Sequence, residues 1–209
     1  QQFEHFKQSL RADCFSDAEI SNFFSKSDNS RYSMVKRLIS SGKLIHLRRG
    51  LYCLGDNLRR DSLNLYAVAN MVYGPSYVSF ESALSYHAWI PETVRVVTSA
   101  CVKRSKIFST PLGVFEFLRV NACIFLCGVE RVVLARDVFF VASPWRVIVD
   151  YMYVHKKTWK GVKPLINSLR IEEENLQKLT RKELDEVESG FGNRRVSIFT
   201  KRIAKDLGL

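Results

Sequence analysis

Side chains able to do covalent chemistry are present but poorly grouped. Glu81, Ser82 and His87 share one segment, and such a trio would suit a hydrolase in which histidine takes the serine proton. The serine lacks the Gly-x-Ser-x-Gly turn that exposes a nucleophile, so His87 is read as a surface or capping histidine. Cys123-x-x-x-Cys127 offers two thiolates to a metal, but no second Cys/His pair stands at ligand spacing. Both cysteines are expected to be buried in an apolar strand. The acids Glu116, Glu130, Asp137 and Asp150 lie in separate segments, and a metal-dependent nuclease would need them to meet. The chain has no Walker A sequence, no Gly-x-Gly-x-x-Gly and no nucleotidyltransferase Gly-Ser loop with paired aspartates. No cofactor and no metal site are expected, and the chain is not read as an enzyme.

A second kind of chemistry, the binding of a polyanion, is better supplied. Lys and Arg number 32 against 21 Asp and Glu, a formal net charge of +11. Between Arg31 and Arg60 there are eight basic residues and one acid, Asp56. Arg31 and Arg37 are candidates for guanine edges or phosphates. Asn29, Ser30 and Ser33 are candidates for bases or phosphates near a helix start, and Lys36 lies beside them. Arg48 and Arg49 sit together at a tight turn, where they would meet phosphates or a minor groove.

Those residues need elements to hold them. Phe3, Phe6 and Leu10 mark one face of a first helix. Ser16 followed by Glu19 is a capping box, which starts a second helix with Ile20, Phe23 and Phe24 on its apolar face. Ser25 to Ser30 reads as a polar turn. A third helix follows, burying Tyr32, Val35, Leu38 and Ile39, showing Arg31, Ser33, Lys36, Arg37 and Ser40, and ending at Gly42. Lys43 to Gly55 reads as two strands around a turn at Gly50. Three helices and a basic hairpin make a winged helix-turn-helix over residues 1–58, which places its third helix in the major groove of double-stranded DNA. The competing reading is a winged helix that contacts a protein partner directly, with a solvated charged face.

Residues 59–209 read as an α+β domain. A fourth helix carries Leu63, Tyr66, Ala67, Asn70 and Met71 and stops at Gly74-Pro75. Short strand-like runs follow at Val94–Ala100, Lys106–Phe108, Val114–Arg119, Ile124–Cys127, Val132–Ala135 and Val138–Ala142, and they are expected to pair antiparallel. Pro144 to Tyr153 reads as a helix. Tyr77, Phe80, Tyr86 and Trp89 are expected to pack helix on sheet. The basic residues Arg95, Lys103, Arg104 and Lys106 either extend a DNA footprint or form a solvated face. With 46% hydrophobic and 25% charged residues the composition is that of a folded protein, not a disordered or disulfide-framework chain. No apolar run reaches membrane-spanning length, no membrane contact is expected, and the first residues lack a signal-peptide layout. Five scattered cysteines suggest unpaired thiols and a reducing cytoplasm.

Four segments together resemble the AbiEi family of bacterial antitoxins. They are the helix and wing from Arg37-Leu38-Ile39 to Arg49-Gly50-Leu51-Tyr52, the stretch Tyr77-Val78-Ser79-Phe80-Glu81-Ser82-Ala83-Leu84-Ser85-Tyr86-His87, the strands after Pro91, and the helix carrying Asp150. The second is the most specific. The resemblance implies a winged helix that represses its own operon promoter and a C-terminal antitoxin domain. It also implies a nucleotidyltransferase-like AbiEii toxin as functional partner, opposed without a stable complex. Self-association on DNA is left open.

Overall fold

The computed structural model describes residues 2–24, 27–92, 94–155 and 159–209. It is an α+β structure with two sheets. The N-terminal part runs α1 (Gln2–Ser9), β1 (Cys14–Ser16), α2 (Asp17–Phe23), α3 (Asp28–Ser40), β2 (Leu44–Arg48) and β3 (Leu51–Leu54). Its three strands form an antiparallel sheet in the order β1-β3-β2. The helix starts follow local chemistry. Glu19 accepts from both the backbone N–H (2.7 Å) and the hydroxyl (2.9 Å) of Ser16, closing the capping box. Phe6, Phe15, Ile20, Phe24, Val35, Leu44 and Leu54 fill the small core between helices and sheet.

Several expectations change here. Helix α3 begins at Asp28, with Ser27 as its N-cap, so Asn29 and Ser30 stand in its first turn. Ser25 and Lys26 of the expected polar turn lie outside the described residues. Tyr32 and Ile39 are exposed rather than buried, because α3 is covered on one flank only. Cys14 and Cys53 are joined as a disulfide with Cα atoms 4.0 Å apart. Although 39 residues separate them, β1 and β3 make them cross-strand partners; scattered spacing does not reveal that juxtaposition. Cys101, Cys123 and Cys127 are free.

A 3-10 turn at Asp56–Leu58 leads to α4 (Leu65–Val72), β4 (Ser76–Val78), α5 (Phe80–Tyr86), β5 (Val96–Cys101), β6 (Lys106–Thr110), β7 (Gly113–Arg119), β8 (Val129–Leu134), β9 (Asp137–Ala142) and α6 (Pro144–His155). The sheet order is β6-β7-β5-β4-β9-β8. It is mixed rather than antiparallel, since β4 runs parallel to β9 and β5 parallel to β7. The edge strand β6 turns the chain back so that β7 lies along β5 in the same direction. The strand expected at Ile124–Cys127 is a turn instead. Its backbone is held by the end of a later helix, with Ile124 N–H donating to Gly190 O at 2.8 Å, and Cys123 is exposed. The remaining helices are α7 (Lys163–Leu169), α8 (Glu173–Leu176), α9 (Arg181–Phe191) and α10 (Arg194–Leu207). Among the described residues no helix is long and apolar enough to cross a membrane.

Alternate residues of β5 serve two cores. Ala100 joins Tyr77, Phe80, Trp145, Ile148 and Phe199 in the larger one. Val97 and Cys101 join Val68, Ala69 and Val72 of α4, and this second cluster also contains Leu47, Leu51 and Cys53 of the N-terminal sheet. The boundary expected at residue 58 is therefore crossed by continuous apolar packing.

Candidate nucleic-acid interface

Helix α3 positions the polar side chains. Val35 is buried, and Met34 and Leu38 are half-buried against the small core. With 3.6 residues per turn this turns Asn29, Ser33, Lys36, Arg37 and Ser40 outward, and all are exposed. Ser30 is also exposed, its hydroxyl accepting from Ser27 at 3.0 Å. Ser27, Asn29, Ser30, Ser33 and Arg37 surround one shallow polar depression. Neither Lys36 nor Arg37 has an ion-pair partner among the described residues.

Arg31 leaves this group. It lies one turn before buried Val35, so its side chain runs along the flank into a groove beside Asp17, Tyr32 and Tyr52. There its guanidinium pairs with Asp28 Oδ1 at 2.8 Å. The expected outward face of α3 is thus Ser33, Lys36, Arg37 and Ser40 without Arg31.

Two glycines shape the connection from α3 to the hairpin. At Gly55 a Cβ would stand 2.0 Å from the carbonyl oxygen of Gly42, so two backbones meet where only hydrogen fits. Gly50 turns β2 into β3 at φ +76°, a left-handed conformation that favours glycine.

The two wing arginines part company. Arg49 is exposed. Arg48 folds back onto the end of α4, donating from Nε to Val72 O at 2.5 Å and from Nη2 to Met71 O at 3.3 Å, with Nη1 on Arg49 O at 2.8 Å. A cation on the last carbonyls of a helix satisfies groups with no partner inside that helix. Arg48 therefore fastens the hairpin to α4 rather than extending into solvent. Its partners are 23 and 24 residues away, beyond any local pattern.

The same corner carries further basic residues. Tyr73, next after α4, donates its hydroxyl to Arg104 O at 3.1 Å, and Lys103 Nζ lies 5.5 Å from the Tyr73 ring centre. Arg48 and Tyr73 thus bring the β2–β3 turn and the β5–β6 turn to one helix end, where Arg49, Lys103, Arg104 and Lys106 are all exposed.

The residues first considered for covalent chemistry are engaged separately. Tyr151 donates its hydroxyl to Glu81 at 3.1 Å. Ser82 donates to Val96 O and accepts from Thr98 N–H. His87 Nε2 donates to Ala142 O at 2.8 Å, which fixes its proton on that nitrogen. Asp150 is fully buried against Arg146, with Nε to Oδ1 at 2.9 Å. Tyr77 and Ser79 donate to its other oxygen at 2.8 and 2.9 Å, and Arg146 also donates to Tyr77 Oη and Cys127 O, each at 2.6 Å. Burial pushes the Tyr77 hydroxyl well above the usual tyrosine range, and the Asp150 charge pushes it further. Burial also raises the Asp150 carboxyl, against the pull of Arg146. This network binds β4 to α6, while Glu81 is held by α6, Ser82 by β5 and His87 by β9. Among the described residues no three or more His, Cys, Asp or Glu side chains are grouped to hold a metal ion.

No protein-family model matches the chain, and no curated protein matches it in sequence.

Proposed function

We propose that the N-terminal part is a winged helix-turn-helix that binds double-stranded DNA. The observation that carries this reading is the exposed set Asn29, Ser33, Lys36 and Arg37 on one face of α3, its two cations without an ion-pair partner among the described residues, with Arg49 at the neighbouring turn. The element order α1-β1-α2-α3-β2-β3, with β1 pairing the outer hairpin strand β3, supports it. Helix α3 would read base edges. Arg49 would contact phosphate, and Lys103, Arg104 and Lys106 would lengthen the same contact line. Arg48 is assigned to fastening the hairpin to α4, and Arg31 to its pair with Asp28 inside α3.

Following the resemblance of the Tyr77–His87 segment, we further propose that the DNA is the chain's own operon promoter. The protein would then repress it and act as an antitoxin against a nucleotidyltransferase-like toxin. A cytoplasmic location goes with that role; with Cys14 and Cys53 paired, unpaired cysteines no longer argue for it.

Fluorescence anisotropy with the upstream promoter duplex and a scrambled duplex tests the reading. The promoter should be preferred, and the preference should persist as salt rises. Removing one phosphate contact by Arg49→Ala should flatten the slope of log K against log salt by about 0.9. Absence of duplex binding at low salt would overturn the proposal and favour a direct protein partner.

A further inference from the structure

A cleft of about 600 Å³ opens between the N-terminal part and the β8–β9 hairpin. Three stretches of chain line it: the α1–β1 connection, the approach to α4 with that helix's outer side, and the hairpin tip. Its volume is in the range of small-molecule sites. Part of its lining is apolar, with Met71 and Leu134 among the residues. Met71 and Leu134 are 38% and 50% exposed, so apolar surface is left facing water inside a concavity.

The rim carries charges of both signs: Arg11, Arg60 and Arg136, and Asp13, Asp61 and Asp137. Among the described residues no ion pair joins any two of these side chains. The side-chain bonds they make are to main chain: Arg60 N–H donates to Asp13 Oδ2 at 3.3 Å, and Arg60 Nη2 reaches Lys7 O at 3.5 Å. The aspartates act on each other, since burial raises the Asp137 carboxyl and the charges of Asp13 and Asp61 raise it further. A cation placed among them would relieve that repulsion.

We propose that this cleft binds a small zwitterion with an apolar body, an apolar α-amino acid or dipeptide. Its carboxylate would meet the arginines as a charge-assisted pair, its ammonium would meet the aspartates, and its side chain would cover Met71 and Leu134. Three arginines against three aspartates leave the rim neutral. A neutral rim gives no net attraction to a polyanion, so nucleotides and DNA are poor occupants despite the chain's overall charge. The site does not depend on the DNA-binding reading.

The test uses calorimetric titration and thermal unfolding of the full chain with four probes: L-leucine, L-leucyl-L-leucine, N-acetyl-L-leucine and L-leucinamide. Saturable binding of L-leucine or the dipeptide is expected, with a rise in Tm. The free amino acid and the dipeptide separate the two sources of the zwitterion. The acetylated probe lacks the ammonium and the amide lacks the carboxylate, so each should bind at least tenfold more weakly. Asp137→Asn and Arg136→Ala, both at the exposed hairpin tip, should each weaken the zwitterion at least tenfold. Failure of both zwitterions to bind, equal binding of a capped probe, or unchanged affinity in folded variants would overturn the proposal. Tighter binding of adenosine monophosphate would overturn it too, in favour of an anion site. If a variant does not fold, the capped probes on the unaltered chain still decide.

Discussion

Replacing Arg49 and replacing Arg48 should separate affinity from stability. The Arg49 side chain is exposed and has no ion-pair partner among the described residues, so Arg49→Ala should change unfolding free energy by less than about 0.5 kcal/mol while weakening duplex binding. Arg48 satisfies two carbonyls at the end of α4. Hydrogen bonds from a charged donor are worth about 1.5–3 kcal/mol, so Arg48→Ala should lower stability by that order. Urea unfolding and anisotropy on the same two variants check both statements. An equal loss of DNA affinity with no loss of stability in Arg48→Ala would return that residue to the interface. The residue types at both positions were readable as a basic turn, but Arg49 lies past the end of β2 and the ladder shifts register just before Arg48, so strand alternation does not sort the two. Which of the two points inward depends on where α4 ends in space.

Elements show the same division between local and distant causes. The capping box at Ser16, the stop at Gly42 and the turn at Gly50 are local signals, and each marks a real boundary. Gly55 belongs with them only in three dimensions, where Gly42 O lies against its Cα. Gly55→Ala should cost about 1–3 kcal/mol through overpacking and push the end of β3 away from the α3–β2 connection, visible as a lowered Tm. Strands β1 and β4 have three residues each, too few for alternation to declare itself, and they exist because longer partners pair with them. The union of β4, α5 and α6 carries a pH signature. Tyr151 is pushed up to about 12 by burial and by Glu81, from 10.0, and Tyr77 is also raised, by burial first. A tyrosine raised on folding stays protonated in the native state while the unfolded chain ionises, so its stabilisation is lost as pH rises between the two values. Tm should therefore fall from pH 10 to about 12. Tyr151→Phe should make the decline shallower, and melts across that range would show it; a flat profile would contradict the buried environment of both hydroxyls.

At the scale of the molecule, the winged-helix candidate is not a detachable piece. Leu47, Leu51 and Cys53 share a cluster with Val68, Val72, Phe115 and Phe117, so residues 1–58 alone would expose that face. We expect the isolated fragment to lack cooperative thermal unfolding and the full chain to show it. Circular dichroism of both checks this, and a sharp transition in the fragment would restore an independent domain. The middle of the larger sheet has a consequence for synthesis. Strand β4 lies between β5 and β9, and Tyr77 meets Asp150 73 residues later. At about 5–20 residues per second, roughly 4–15 s separate the two on a ribosome. For most of that interval the central strand is made but lacks its parallel neighbour β9, and for all of it the carboxylate of Asp150. The nascent chain must be kept from pairing with others until α6 emerges, so slower elongation between residues 78 and 150, or scarce chaperone, should lower soluble yield before any change in the finished protein's stability is seen.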